Sequence, residues 1–181
     1  MLRKSLLKYI NLILVFLVMR YASAEEAKVI ENYMKIAAEE AKKSSCLKSQ
    51  RGVIIVKDGK IVGRGFNKPT LENLCCLRES IKDNSRVELC TAVHAEQMAI
   101  LSVKNKDDLK DSVMYHIKVK NNEMRKTNEE PSCTVCSRLV LESGIKEFVL
   151  WYEQGYRIYS AREFNEASFQ FFQSQGSLKP K

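Results

Sequence analysis

With 181 residues, 45% of them hydrophobic and 29% charged, the chain has enough material for about one domain and too much apolar content to be disordered. Of the net charge of +8, four charges (Arg3, Lys4, Lys8 and Arg20) fall in residues 1–24, which hold no acid, so +4 remains on the rest. That mild excess suits a phosphorylated small substrate or an ordinary solvated surface, and with only two histidines any imidazole chemistry is confined to His94 and His116.

Residues 1–24 read as an export signal, with a basic start, an apolar run over 10–19 and Ala22-Ser23-Ala24 at a small-residue cleavage site. The run is short for a membrane span. Arg20 fits a signal poorly, and the alternative is a misassigned extension with Met19 as the true first residue. Either way the folded domain is expected over residues 25–181.

Residues 25–44 have helical spacing, with Val29, Ile30, Met34, Ile36, Ala37 and Ala41 on the apolar side. Residues 52–67 read as a hairpin. Val53-Ile54-Ile55-Val56 suits a strand covered on both faces, Asp58-Gly59 makes the turn, and Gly63 and Gly65 admit a close neighbour. Residues 68–89 are irregular and polar, and a loop that long is functional or tied down, with Cys75, Cys76 and Cys90 as candidate ties. A helix follows over 91–103, a strand over 113–119 with His116 expected near its surface, and a polar loop over 121–130. A helix over 134–143 ends at Gly144. A strand over 146–152 carries Trp151 and Tyr152, expected in the core or an interface. The last helix, 161–173, presents Phe164, Ala167, Phe171 and Phe172 as a core stripe. This order predicts an α/β sandwich, a mixed sheet with helices on both faces. The two motif helices should meet at one sheet edge, where such sheets bind ligands.

Two short stretches carry the chemistry, His94-Ala95-Glu96 and Pro131-Ser132-Cys133-Thr134-Val135-Cys136. They offer one imidazole, two thiols and one carboxylate. A tetrahedral zinc with one open position needs three N/S ligands and a base beside its water. Cys133 and Cys136 can share the first turn of one helix, and His94 and Glu96 can open another. The positive ends of both helices then favour thiolate over thiol.

H-x-E followed by P-C-x-x-C is the signature of zinc-dependent nucleobase deaminases. The chain resembles that family in its deoxycytidylate-deaminase-like branch. Residues 52–67 look like that branch's first hairpin, Cys76-Leu77-Arg78-Glu79 like its loop, Glu88-Leu89-Cys90 like the lead into the H-x-E segment, and Ser143-Gly144-Ile145-Lys146-Glu147 like its helix-to-strand turn. Departures are Ser132 in place of a proline before the first cysteine, a long 121–130 loop, and the tail after Trp151.

The resemblance implies a three-layer cytidine-deaminase-like sandwich, a zinc cofactor and a homo-oligomer. It implies His94, Cys133 and Cys136 as zinc ligands and Glu96 as proton shuttle. It also implies that the Ala95 N–H contacts the substrate base and the Asn67 side chain its sugar, although Asn67 is equally readable as a turn residue. Arg78 and Arg86 are candidates for a phosphate contact. A second zinc on Cys46, Cys76 and Cys90, joined by Cys75 or His116, is the alternative to free thiols. The expected reaction is hydrolytic deamination of a cytosine nucleotide, dCMP to dUMP, with ammonia released. Alternatives are another nucleobase or nucleoside, nucleic acid, or a non-catalytic zinc module. Nucleic acid is disfavoured because Glu123, Glu129 and Glu130 interrupt Lys118, Lys120, Arg125 and Lys126, with no aromatic among them. Thiol ligands and a nucleotide substrate favour the cytoplasm, with export or membrane attachment as the alternative if residues 1–24 act as a signal.

Overall fold

The computed structural model describes residues 19–46, 48–70, 90–128 and 130–174. Cys75, Cys76, Arg78, Arg86 and residues 1–18 of the candidate signal lie outside them. The elements are β1 (Arg20–Tyr21), α1 (Ala24–Lys42), β2 (Gln50–Lys57), β3 (Lys60–Phe66), β4 (Lys68–Pro69), β5 (Ala92–Val93), α2 (Ala95–Ser102), a single 3-10 turn (Lys106–Leu109), β6 (Val113–Lys120), β7 (Glu123–Arg125), α3 (Thr134–Glu142), β8 (Glu147–Tyr152), β9 (Gly155–Ser160) and α4 (Ala161–Ser174). The main sheet runs β1-β9-β8-β6-β2-β3, with β7 paired to β6. Only β6 and β8 run parallel among the described pairs, and α3 lies in the connection between them.

The apolar run of β2 divides between two cores because successive side chains point to opposite faces. Ile54 and Val56 pack with Ile30, Met34, Ala37 and Ala41 of α1. Val53 and Ile55 pack on the other face with Ala95 and Ala99 of α2, Val140 of α3 and Phe164 of α4. The result is the expected mixed sheet with helices on both faces. The neighbour admitted by the hairpin glycines is α2 itself. A Cβ at Gly65 would collide with the Ala95 carbonyl and the Ala99 amide, so only glycine lets the start of α2 rest on the sheet.

Three segments depart from the sequence expectation. Residues 121–130 are not wholly loop. Asn121 and Asn122 adopt φ of 54° and 62°, the geometry Asp58 and Gly59 use at 48° and 74°, and they turn β6 into β7. Asparagine tolerates that region, but Asn-Asn is a weaker hairpin signal than Asp-Gly. After Trp151 the chain makes β9, which pairs antiparallel with all of β8. Finally, the described domain begins before residue 25. Arg20 and Tyr21 pair with Ile158 and Arg157, and the Ala22 amide donates to the Tyr156 carbonyl at 2.8 Å. Ser23 caps α1 through a reciprocal pair with Glu26, at 3.3 and 2.9 Å, and Arg20 grips the same Glu26 carboxylate at 2.7 and 2.8 Å. Ala22-Ser23-Ala24 carries the small-residue pattern of a cleavage site and of a helix cap alike.

A chain cut after Ala24 is therefore expected to be less stable than one beginning at Met19. Loss of the cap alone costs about 1 kcal/mol, so thermal unfolding should show a midpoint lower by at least about 3 °C. Equal midpoints would show that residues 19–24 contribute nothing.

Candidate active site

Two helix starts converge on one side of the sheet. His94 is the N-cap of α2, but its ring does not serve as the cap. Gln97 reaches back instead and accepts from the His94 amide at 2.9 Å, which leaves the imidazole to point elsewhere. Cys133 is the N-cap of α3, and its sulfur accepts from the Cys136 amide at 3.3 Å. The His94 Nδ1 lies 3.1 Å from the Cys136 sulfur and 3.4 Å from that of Cys133, and the sulfurs are 3.1 Å apart. This is the one group of three candidate ligands found among the described residues, all its ligand atoms lying within 4.8 Å of one another.

The electrostatics suit a dication. Donation from the Cys136 thiol, helped by His94, holds Cys133 down at about 5. Cys136 is correspondingly pushed up, by Cys133 first and then by burial. Burial would lower His94, but hydrogen bonds to Cys133 and Cys90 outweigh it and raise the ring to about 11. Without metal the three groups hold protons that keep their charges balanced. A zinc held by His94, Cys133 and Cys136 would take up both thiolates and the ring nitrogen in place of those protons. The donor set of one imidazole and two thiols, preformed at the starts of two helices, fits zinc with an open position.

Glu96 stands beside the triangle and is only 8% exposed. Burial pulls its carboxylate up, but the charge of His94, a backbone hydrogen bond and the charge of Arg51 hold it low. Glu96, His94, Arg51 and His116 line one cavity of about 160 Å³, together with Ala95, Asn67, Cys133, Phe148 and Phe164. That volume is close to that of a cavity able to take one benzene-sized ring, room enough for a pyrimidine. Phe148 and Phe164 stack at 3.7 Å and 9°, so Phe164, expected in the core, also walls the cavity.

The remaining candidates divide. Ala95 is the first residue of α2, so its N–H has no partner within the helix. Asn67 is at the wall but largely committed to the fold. Its Oδ1 accepts from the Arg51 amide and the Ser44 hydroxyl, and its Nδ2 donates to the Ser49 carbonyl, leaving one N–H. Cys46 and Cys90 line the cavity, while Cys76, the third member of the candidate second zinc set, lies outside the described residues. His116 overturns its expectation. It is buried, 6% exposed, with its Nε2 3.8 Å from Glu96 Oε1. The register of β6 on β2 puts it opposite Val53, on the inner face. Sequence reading also passed over Lys48, Ser49 and Arg51, which line the cavity. Alternation offered a signal, because Arg51 shares the face of Val53 and Ile55.

The family model for the cytidine and deoxycytidylate deaminase zinc-binding region matches residues 27–152. The chain belongs to this family. Zinc is the family's metal. Within the family, the deoxycytidylate deaminase of Mycobacterium phage D29 is 32% identical over 129 residues, covering 66% of this chain and 91% of its relative. That of Saccharomyces cerevisiae is 26% identical over 149 residues, covering 80% of this chain, which spans only 41% of the yeast protein's length. The cytidine deaminase of Burkholderia pseudomallei shares the fold, with a TM-score of 0.50, 19% identity, and 74% and 94% of the two chains covered. Among the described residues no helix is long and apolar enough to cross a membrane.

Purified protein should carry about one zinc per chain. Cys136→Ser should abolish it, as read by elemental analysis of protein passed through a desalting column. Zinc retained in full by Cys136→Ser would place the metal elsewhere.

Proposed function

We propose that this chain hydrolyses the exocyclic C–N bond of a cytosine nucleotide, converting dCMP to dUMP and ammonia. The observation that carries the reading is a buried carboxylate beside a preformed imidazole–dithiol triangle at a ring-sized cavity. A structural zinc site has no use for a base there. His94, Cys133 and Cys136 would hold the metal, which supplies Lewis acidity that makes a water acidic near neutral pH. Glu96 accepts the proton this water loses and delivers it to ring nitrogen N3. The hydroxide oxygen bonds to C4. Glu96 then takes the new hydroxyl proton to the amino nitrogen, the C4–N bond breaks, and ammonia leaves. One carboxylate serves both transfers because it lies between water and ring. The Ala95 N–H and the uncommitted Nδ2 proton of Asn67 hold base and sugar.

A phosphorylated substrate is supported by the cavity wall at Lys48, Ser49 and Arg51. The Ser49 hydroxyl is buried and makes no hydrogen bond among the described residues. The Arg51 guanidinium is half-buried with no carboxylate bonded to it there. A hydroxyl and a fork of N–H donors are what a phosphate needs. Nucleic acid is not favoured. Arg125 pairs with Glu123 at 2.9 Å and Lys126 with Glu153 at 3.0 Å, and Trp151, although 5.5 Å from Lys126, is occupied by Tyr156. The same reading puts the enzyme in the reducing cytoplasm, where thiol ligands persist, and in a homo-oligomer, for which exposed Leu101 and Val135 offer apolar surface.

Glu96→Gln should keep its zinc and lose about 10³-fold in kcat for dCMP, measured by ammonia release. Activity surviving that change would remove Glu96 from the mechanism. Arg51→Gln should raise KM for dCMP about 10-fold or more while leaving deoxycytidine within about twofold, because only the nucleotide offers a charged partner. Equal effects on both substrates would take Arg51 off the phosphate.

A further inference from the structure

His116 is the polar residue in the run 113–117 of β6, flanked by buried Met114, Tyr115 and Ile117. Buried imidazoles normally have hydrogen-bond partners, yet among the described residues this ring makes none. Its neighbours are Phe148, with ring centroids 5.9 Å apart, and the Glu96 carboxylate at 3.8 Å. It takes no part in the ligand triangle. Burial keeps the ring neutral, near 4, so it has one N–H to give. The carboxylate before it has much to gain, since a buried charge costs several kcal/mol unless opposed. The gap is about 1 Å beyond a hydrogen bond. Catalytic hydrogen bonds are often long without substrate and tighten when it binds.

We propose that His116 is a positioning residue, whose Nε2–H closes on Glu96 when the cavity fills and fixes the carboxylate in the orientation that reaches both water and ring. The inference rests on the deaminase reading. It explains why an imidazole stands between the apolar side chains of Tyr115 and Ile117. A swinging carboxylate would still pick up a proton but deliver it to the wrong place, and a misplacement of about 1 Å can cost about 10²-fold in rate.

The test uses His116→Leu, which suits the apolar strand and conserves volume, His116→Gln, which keeps a side-chain N–H, and His116→Gly. For each, kcat and KM for dCMP, zinc content, and binding of dUMP and of a hydrated 2-pyrimidinone nucleotide (a mimic of the tetrahedral state) are measured. His116→Leu should lose about 10²-fold in kcat, with KM, zinc and dUMP binding within about threefold, and should bind the hydrated mimic about 10²-fold more weakly. His116→Gln should recover part of the loss, and imidazole added to His116→Gly should restore turnover. Wild-type kcat and mimic binding in His116→Leu would overturn the inference, as would zinc or dUMP binding falling in step with kcat. A wild type that binds zinc but releases no ammonia from any cytosine compound would instead overturn the deaminase reading, and this inference with it.

Discussion

A carboxylate removed from water must be opposed by something, and the cavity is built around that need. Glu96 is placed by the first turn of α2, and α2 is placed by its contact with β3 at Gly65. The backbone contact matters more than any side chain there. It brings the start of the helix to the sheet and so sets the height of His94 and Glu96 together, two residues apart on one turn. The second helix start, at Cys133, then has to arrive opposite. It does so because β6 and β8 are parallel neighbours and the connection between them must cross the sheet. Metal affinity and proton transfer thus depend on the same packing distance.

The electrostatic arrangement follows from the placement. The Cys133 thiol, both imidazoles, the Arg51 guanidinium and the Glu96 carboxylate line one cavity, with the Cys136 thiol against Cys133. Apart from metal, their protons are distributed so that unlike charges touch and like charges do not. A dication held by His94, Cys133 and Cys136 would stand in place of the protons on sulfurs and ring and add positive charge beside Glu96. The carboxylate is kept ionised by its neighbours, as a proton acceptor must be before the first transfer.

Much of this was legible in the residues. The H-x-E and C-x-x-C spacing picked out the imidazole, two thiols and carboxylate that the fold brings together, since each spacing is local and each half sits on one helical turn. The first hairpin was legible because Asp58-Gly59 demands one turn geometry. What could not be read were the relations between strands. His116 looked like a surface residue because nothing in its own segment says which face of β6 is inward. Only the pairing with Val53 decides that. The β6–β7 hairpin and β9 were hidden by weak turn signals, Asn121-Asn122 and Gly155. The part played by residues 20–24 in the fold was hidden because a small-residue stretch that suits a peptidase also suits a helix cap.

The hairpin at Asn121 and Asn122 leads into the outer rim of the cavity, formed by Thr127, Glu130, Pro131 and Ser132. That rim is fastened to the far strands by its own clips, the Thr127 amide on the Trp151 carbonyl at 2.7 Å and Glu130 on Arg157 at 2.8 Å. None of these clips touches the metal ligands or Glu96. The rim can therefore lengthen, shorten or change its chemistry through mutation while the reactive centre stays intact. Lineages built on this scaffold have a route to new substrates that leaves the bond-breaking step unaltered.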